Sequence, residues 1–147
     1  MSTILTVHGT FSTGSEAGDK WFQKGSPFEA HCRRLVEAEH GAITFQPFIW
    51  DGENSETSRR AAAAELLARM LALEAKGEHF SVIGHSHGGS IVATALVESA
   101  ARKNSLEHLK CWLTVGTPFV ATVKGRSVFN RLGLLGNPSM SRSLPAR

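Results

Sequence analysis

Four short apolar runs alternate with three helix-length segments along this chain of 147 residues, and that alternation restricts the fold more than any single motif. "TILTVHG" (3–9) is a strand-length run ending in glycine. "FSTGSEAGDKWFQKG" (11–25) is rich in Gly and Ser and reads as a long loop. "SPFEAHCRRLVEAEHG" then places Ser26 at an N-cap, Pro27 at the first helical position, Glu29 three residues after the serine and Gly41 at the far end. These signals predict a helix over 27–40 that opens with a capping box. "ITFQPFIW" (43–50) is a second strand, and Pro47 assigns it an edge or bulge position, because proline cannot donate to a sheet ladder. After the polar loop "DGENSETS", the stretch 59–77 carries Leu66, Leu67, Met70, Leu71 and Leu73 on neighbouring turns and stops at Gly77. "HFSVIGH" (79–85) is a third strand, 88–103 a third helix, and "KCWLTVGTP" (110–118) a fourth strand.

The order β-α-β-α-β-α-β predicts an α/β protein with a parallel sheet of about four strands and helices on both faces. Ligands of such sheets bind beyond the carboxyl ends of the strands. Three informative loops fall there: "HGTF", "WDGENS" and "HSHGG".

The length suits one domain, and the composition, 41% hydrophobic and 20% charged, suits a globular core. Cys32 and Cys111 stand alone without metal-ligand spacing, so no metal site and no disulfide framework is expected. The start "MSTILTVHGT" lacks the basic opening of a signal peptide, and no run reaches the roughly 18 apolar residues of a membrane span, so a cytoplasmic setting is expected. Charge is unevenly spread. Residues 1–107 hold ten basic and thirteen acidic side chains, and residues 108–147 hold six basic and none acidic. Six charges over that length without interleaved aromatics argue against nucleic-acid binding, while a basic tail with short apolar patches fits weak contact with a membrane surface. The expected organisation is a partial α/β domain over 1–120 and a basic tail, irregular or weakly helical, over 121–147. An unfinished sheet edge is expected to favour self-association.

"G-H-S-H-G" at 84–88 matches G-x-S-x-G and lies between a strand and a helix. By composition alone the pattern arises in roughly one in twenty chains of this length; its position at that junction, followed by Gly89, makes it informative. A nucleophilic serine needs a sharp turn with its hydroxyl exposed. Gly84 and Gly88 leave room for the neighbouring helix and strand, and the following helix turns its positive end toward developing negative charge. No G-x-x-x-x-G-K-[ST] occurs, which argues against a nucleotide-binding α/β protein.

With "TILTVHGTF", "FSVIGHSHGGSIV" and "WLTVGTPF" in this order, the sequence resembles the lipase and esterase branch of the α/β-hydrolases over about residues 3–120. The resemblance implies a serine hydrolase acting on small-molecule or lipid carboxylic esters, with Ser86 as nucleophile, an acyl-enzyme intermediate and no cofactor. It also implies an oxyanion hole built from the backbone amides of His87 and Thr10, with Phe11 the adjacent candidate. His8, Phe11, His85, Asp51 and Asn54 are expected in the surrounding loops.

The family's order of serine, acid and histidine then runs into difficulty. After Ser86 come only Glu98, Glu107 and His108, and these read as surface groups, the last two at the sheet end away from the serine. The acid and base are not found, and the resemblance stops near residue 120. The alternative is therefore a catalytically incomplete hydrolase module, or a binding remnant. Replacing Thr10 by proline deletes one implied oxyanion donor. That variant is expected to stay folded and lose turnover, as read by circular dichroism beside an ester assay; a folded variant with unchanged activity would refute the assignment.

Overall fold

The structure, a computed structural model, describes residues 2–12 and 18–119. The expected tail over 121–147 lies outside the described residues. Seven elements follow the expected order: β1 (Ser2–Val7), α1 (Pro27–His40), β2 (Ile43–Phe48), α2 (Glu56–Ala75), β3 (His79–His85), α3 (His87–Ala101) and β4 (Leu109–Val115). The four strands form one all-parallel sheet in the order β2-β1-β3-β4.

Strand periodicity divides the core between the two faces. Leu5 and Val7 of β1, with Phe80 and Val82 of β3, pack against Leu66, Met70 and Leu73 of α2 and Ile91 and Val92 of α3. Ile4, Ile43 and Phe45 pack on the opposite face against Phe28, Cys32 and Val36 of α1. The chain leaves β1 toward β2 with α1 on one face, and leaves β3 toward β4 with α3 on the other. The strand order therefore reverses between β1 and β3, and the loops that follow them diverge at their carboxyl ends.

Local signals act with some differences from expectation. Ser26 Oγ accepts the Glu29 amide at 3.1 Å, as a capping box requires. The Glu29 carboxylate, however, accepts from the Gly25 amide at 2.7 Å, because the Ser26 amide already donates to the Gln23 carbonyl at 3.3 Å. Burial alone would raise the Glu29 carboxyl; the Gly25 amide and the Arg33 guanidinium outweigh it and hold the group below its ordinary value. Helix α2 begins at Glu56 rather than 59. Ser55 Oγ caps it through the Ser58 amide at 3.3 Å, and Glu56 pairs with Arg59 and Arg60 one turn on. Its end is a Schellman motif: Gly77, at φ 66°, donates to Glu74 and Glu78 donates to Leu73.

Pro47 does stand on an edge strand, β2, opposite Thr6. At the other edge β4 leaves Trp112, Leu113 and Val115 each about half exposed, at 49%, 52% and 55%. Among the described residues no helix is long and apolar enough to cross a membrane.

The tightest backbone approach lies where α3 meets β1. A Cβ on Gly88 would fall 2.3 Å from the Val7 carbonyl oxygen and 2.5 Å from that of His8. Neither backbone can move without breaking the sheet or the helix. Gly88→Ala is therefore expected to cost about 3 kcal/mol or more in urea unfolding; a loss below about 1 kcal/mol would contradict this packing.

Candidate active site at the β1–β3 switch point

Ser86 follows β3 directly and occupies the N-cap position of α3 at φ 53°, ψ −132°. A non-glycine residue rarely adopts a positive φ, and holding one costs about 1–3 kcal/mol that surrounding packing must offset. Two backbone bonds fix the turn: the Ser86 amide donates to the Val115 carbonyl at 2.8 Å, and the Gly89 amide donates to the Ser86 carbonyl at 2.9 Å. The side chain makes no capping bond, which leaves the hydroxyl free of the role a serine usually has at this position.

The glycines of the motif leave the space the turn needs. A Cβ on Gly84 would lie 2.7 Å from the Gly89 backbone, and one on Gly89 would lie 1.9 Å from Thr117 Oγ1. Gly9, in the loop after β1, passes so close that a Cβ there would sit 2.9 Å from Ser86 Cβ and 3.3 Å from its Oγ. The absence of that side chain lets the Gly9 backbone pass alongside the serine, and the next peptide carries the Thr10 N–H.

The two amides singled out in the sequence are both available. Neither the Thr10 nor the His87 N–H donates to a described residue. His87 opens α3, where amides are left unsatisfied and the helix dipole is positive. Phe11, the adjacent candidate, is corrected by the structure. Its amide donates to the Gly52 carbonyl at 3.0 Å, so it is spent on joining two loops. Its side chain, at φ 57°, projects into solvent with 79% exposure.

His8 is fully buried, and both ring nitrogens are engaged. Nε2 accepts the Trp50 amide at 3.3 Å, which assigns the proton to Nδ1, and Nδ1–H donates to the Gly9 carbonyl at 2.8 Å. Burial lowers its pKa, the approach of Lys20 adds to the effect, and the bond to the Gly9 carbonyl and the charge of Asp51 partly oppose it. His8 is thus a strut of the loop and not a free base. Asp51 and Asn54 are also used locally. Asp51 Oδ1 accepts the Glu53 amide at 2.8 Å and Asn54 Oδ1 accepts from Arg59 at 3.1 Å, so both shape the lead-in to α2. His85 is exposed and meets Trp21 edge-on at 5.9 Å. His87 is half-buried, with Nδ1 buried and without a hydrogen-bond partner among the described residues.

A histidine–carboxylate pair does exist, at the wrong end of the sheet. His108 Nδ1 lies 2.7 Å from Glu74, whose carboxylate also accepts the Glu107 and His108 amides. It ties the end of α2 to the start of β4, while Ser86 lies beyond the opposite end of the strands. Glu98 pairs with Arg102 on the outer side of α3. Among the described residues no histidine or carboxylate bonds to Ser86 Oγ, and no group of three or more metal-ligating side chains forms.

Trp50 was not singled out in the sequence. It is buried, stacks on His8 at 5.6 Å and donates its indole N–H to the His8 carbonyl at 2.9 Å. Its position at the end of an apolar strand reads as ordinary core, and no local pattern reveals a partner 42 residues away. Trp21 and Phe22 divide between two roles: Phe22 is buried against His8 at 4.7 Å, while Trp21 lines an apolar cleft of about 240 Å³ with Phe28, Ile83, His85 and Val115.

No family model, no curated protein and no solved structure matches this chain.

The buried neutral His8 links this site to pH. Its folded pKa lies below the ordinary 6.5, so the unfolded chain takes up the proton first as pH falls. The stability it contributes is present above about pH 6.5 and is lost as pH falls from there through the folded value. Urea unfolding between pH 7.5 and 5 is expected to show a steeper loss for the wild type than for His8→Asn; parallel curves would contradict this.

Proposed function

We propose that this chain is a serine hydrolase of the α/β-hydrolase superfamily, of the lipase and esterase type, acting on carboxylic esters of small molecules or lipids through Ser86. One observation carries the reading. Ser86 is held at a positive φ at the head of α3 with no capping bond from its hydroxyl, while Gly9 leads into the Thr10 amide, which has no acceptor among the described residues. Structural serines at helix starts use extended backbone and bond their own helix, as Ser26 and Ser55 do. The strained turn presents Ser86 without the capping bond that a serine at a helix start normally makes, which suits a nucleophile.

In this reading Ser86 Oγ attacks the ester carbonyl carbon and passes its proton to solvent, and solvent returns a proton to the departing alkoxide. The carbonyl oxygen becomes an oxyanion that accepts from the Thr10 and His87 amides, with the dipole of α3 behind it. Collapse expels the alcohol and leaves an acyl-serine, which water hydrolyses. Fixed donors of this kind are worth about 3–4 kcal/mol each in the transition state. The apolar cleft that begins at His85, one residue before the serine, suits an acyl chain.

The seven histidines favour a second reading beside the first: a hydrolase-like module without efficient turnover. His8 is locked, His79 and His108 sit at the far end, His31 and His40 lie on α1, and His85 and His87 make no bond to Ser86 Oγ. A serine with an oxyanion hole and no bound imidazole reacts slowly, and its rate climbs with pH without levelling near the pKa of histidine.

The test is a fluorophosphonate probe read by intact mass, with Ser86→Ala in parallel. One adduct is expected on the wild type and none on the variant, with a labelling rate that rises steadily from pH 6 to 9. A folded wild type that takes no probe, or an adduct that survives in Ser86→Ala, would refute Ser86 as nucleophile. Ser86-dependent turnover of a nitrophenyl ester separates the enzyme from the module without turnover.

A further inference from the structure

We propose that Trp50 is a positioning residue whose indole holds the Thr10 amide beside Ser86; this rests on the reading of Ser86 as an acyl-transfer nucleophile. The pairing of β1 with β2 ends at Val7 and Phe48, so the sheet ladder holds nothing beyond those residues. Three other bonds carry the two chains onward together. The Trp50 amide donates to His8 Nε2 at 3.3 Å, the Trp50 indole donates to the His8 carbonyl at 2.9 Å, and the Phe11 amide donates to the Gly52 carbonyl at 3.0 Å. They bracket Thr10 on both sides and leave its own N–H without an acceptor among the described residues.

The bond from the indole is the one that reaches the reaction geometry. The His8 carbonyl it holds is the oxygen against which Gly88 of α3 packs, at 2.5 Å from the position of a Cβ. The next residue, Gly9, packs against Ser86 itself. A single peptide is thus fixed between the indole on one side and the first turn of α3 on the other, and the Thr10 N–H extends from its end. His8 completes the unit. Its Nδ1–H fixes the Gly9 carbonyl, and its ring is enclosed by Phe22 at 4.7 Å and Trp50 at 5.6 Å. With the indole N–H removed, the His8 carbonyl is buried without its donor and the peptide can turn, shifting the Thr10 amide relative to the serine. A shift of that order is enough to cost roughly tenfold or more in rate while leaving ground-state binding alone.

The experiment compares the full chain with Trp50→Phe, which keeps the aromatic ring and loses the N–H, and with Trp112→Phe, on the exposed edge strand, as control. Fluorophosphonate labelling is resolved into its maximal rate and its half-saturating concentration. Amide exchange is followed at Phe11, whose N–H belongs to the clasp, and at Ser86, whose N–H is bonded to β4. For Trp50→Phe, the expected result is a maximal rate lower by roughly tenfold or more, half-saturation within about twofold, faster exchange at Phe11 and unchanged exchange at Ser86. Trp112→Phe is expected to match the wild type.

A folded Trp50→Phe with a wild-type maximal rate would overturn the proposal. So would a lower rate accompanied by equally faster exchange at both amides, the signature of general destabilisation. A wild type that takes no probe sinks the nucleophile reading instead, and selective exchange at Phe11 then decides the clasp alone. If Trp50→Phe does not fold, benzothienylalanine at position 50, close in shape and lacking the N–H, is read in the same way.

Discussion

The first turn of α3 lies almost against the last carbonyls of β1, and the arrangement at the carboxyl end of the sheet depends on that approach. Gly88 permits it, since any Cβ there would enter the Val7 and His8 carbonyl oxygens. Once helix and strand are this close, Ser86 has little choice of backbone. It must turn from β3 into α3 within one residue, and the positive φ follows. Gly84 and Gly89 meet the same need on the other side of the turn, where their backbones pack on each other. Gly9 then passes the serine because it too lacks a side chain. A strained serine, a helix start and a free amide are consequences of one steric constraint met at four glycines.

The strand order gives this constraint its location. Because α1 and α3 lie on opposite faces, the chain turns opposite ways after β1 and β3, and Gly9 meets Ser86 where the two paths part. Trp50 and Gly52 bridge from the end of β2 to the loop after β1 and carry the sheet's order past the end of its ladder. Burial of His8 follows from the same bridge. An imidazole enclosed by Phe22 and Trp50 and bonded at both nitrogens stays neutral, and its tautomer is set by the groups it touches.

Much of this was legible in the sequence, for identifiable reasons. Ser26, Pro27 and Gly41 act within one helix, and helix 27–40 appears with those bounds. Pro47 marked an edge strand because a missing N–H has one tolerable place in a sheet. The glycines around Ser86 were legible as a need for space, although what fills that space, the β1 carbonyls and Thr117, was not. Capping by Ser55 was missed because the polar run before α2 hides a helix start. The loss of Phe11 as a donor could not be foreseen, since its acceptor, Gly52, lies far along the chain. Likewise, His108 paired with Glu74 and not with its neighbour Glu107, a choice made by the packing of α2 against β4. Local signals survived wherever the partner was local.

In the proposed function the Thr10 and His87 amides together frame a site for negative charge at Ser86. The most direct measurement is a ¹⁵N–¹H NMR titration with phenylboronic acid, which forms a tetrahedral anion on a serine oxygen and needs no catalytic base. The Thr10 and His87 amides are expected to shift most, Phe11 to move little because the Gly52 carbonyl already holds it, and Ser86→Ala to abolish the response. Shifts centred elsewhere, or shifts that persist without the serine hydroxyl, would contradict it.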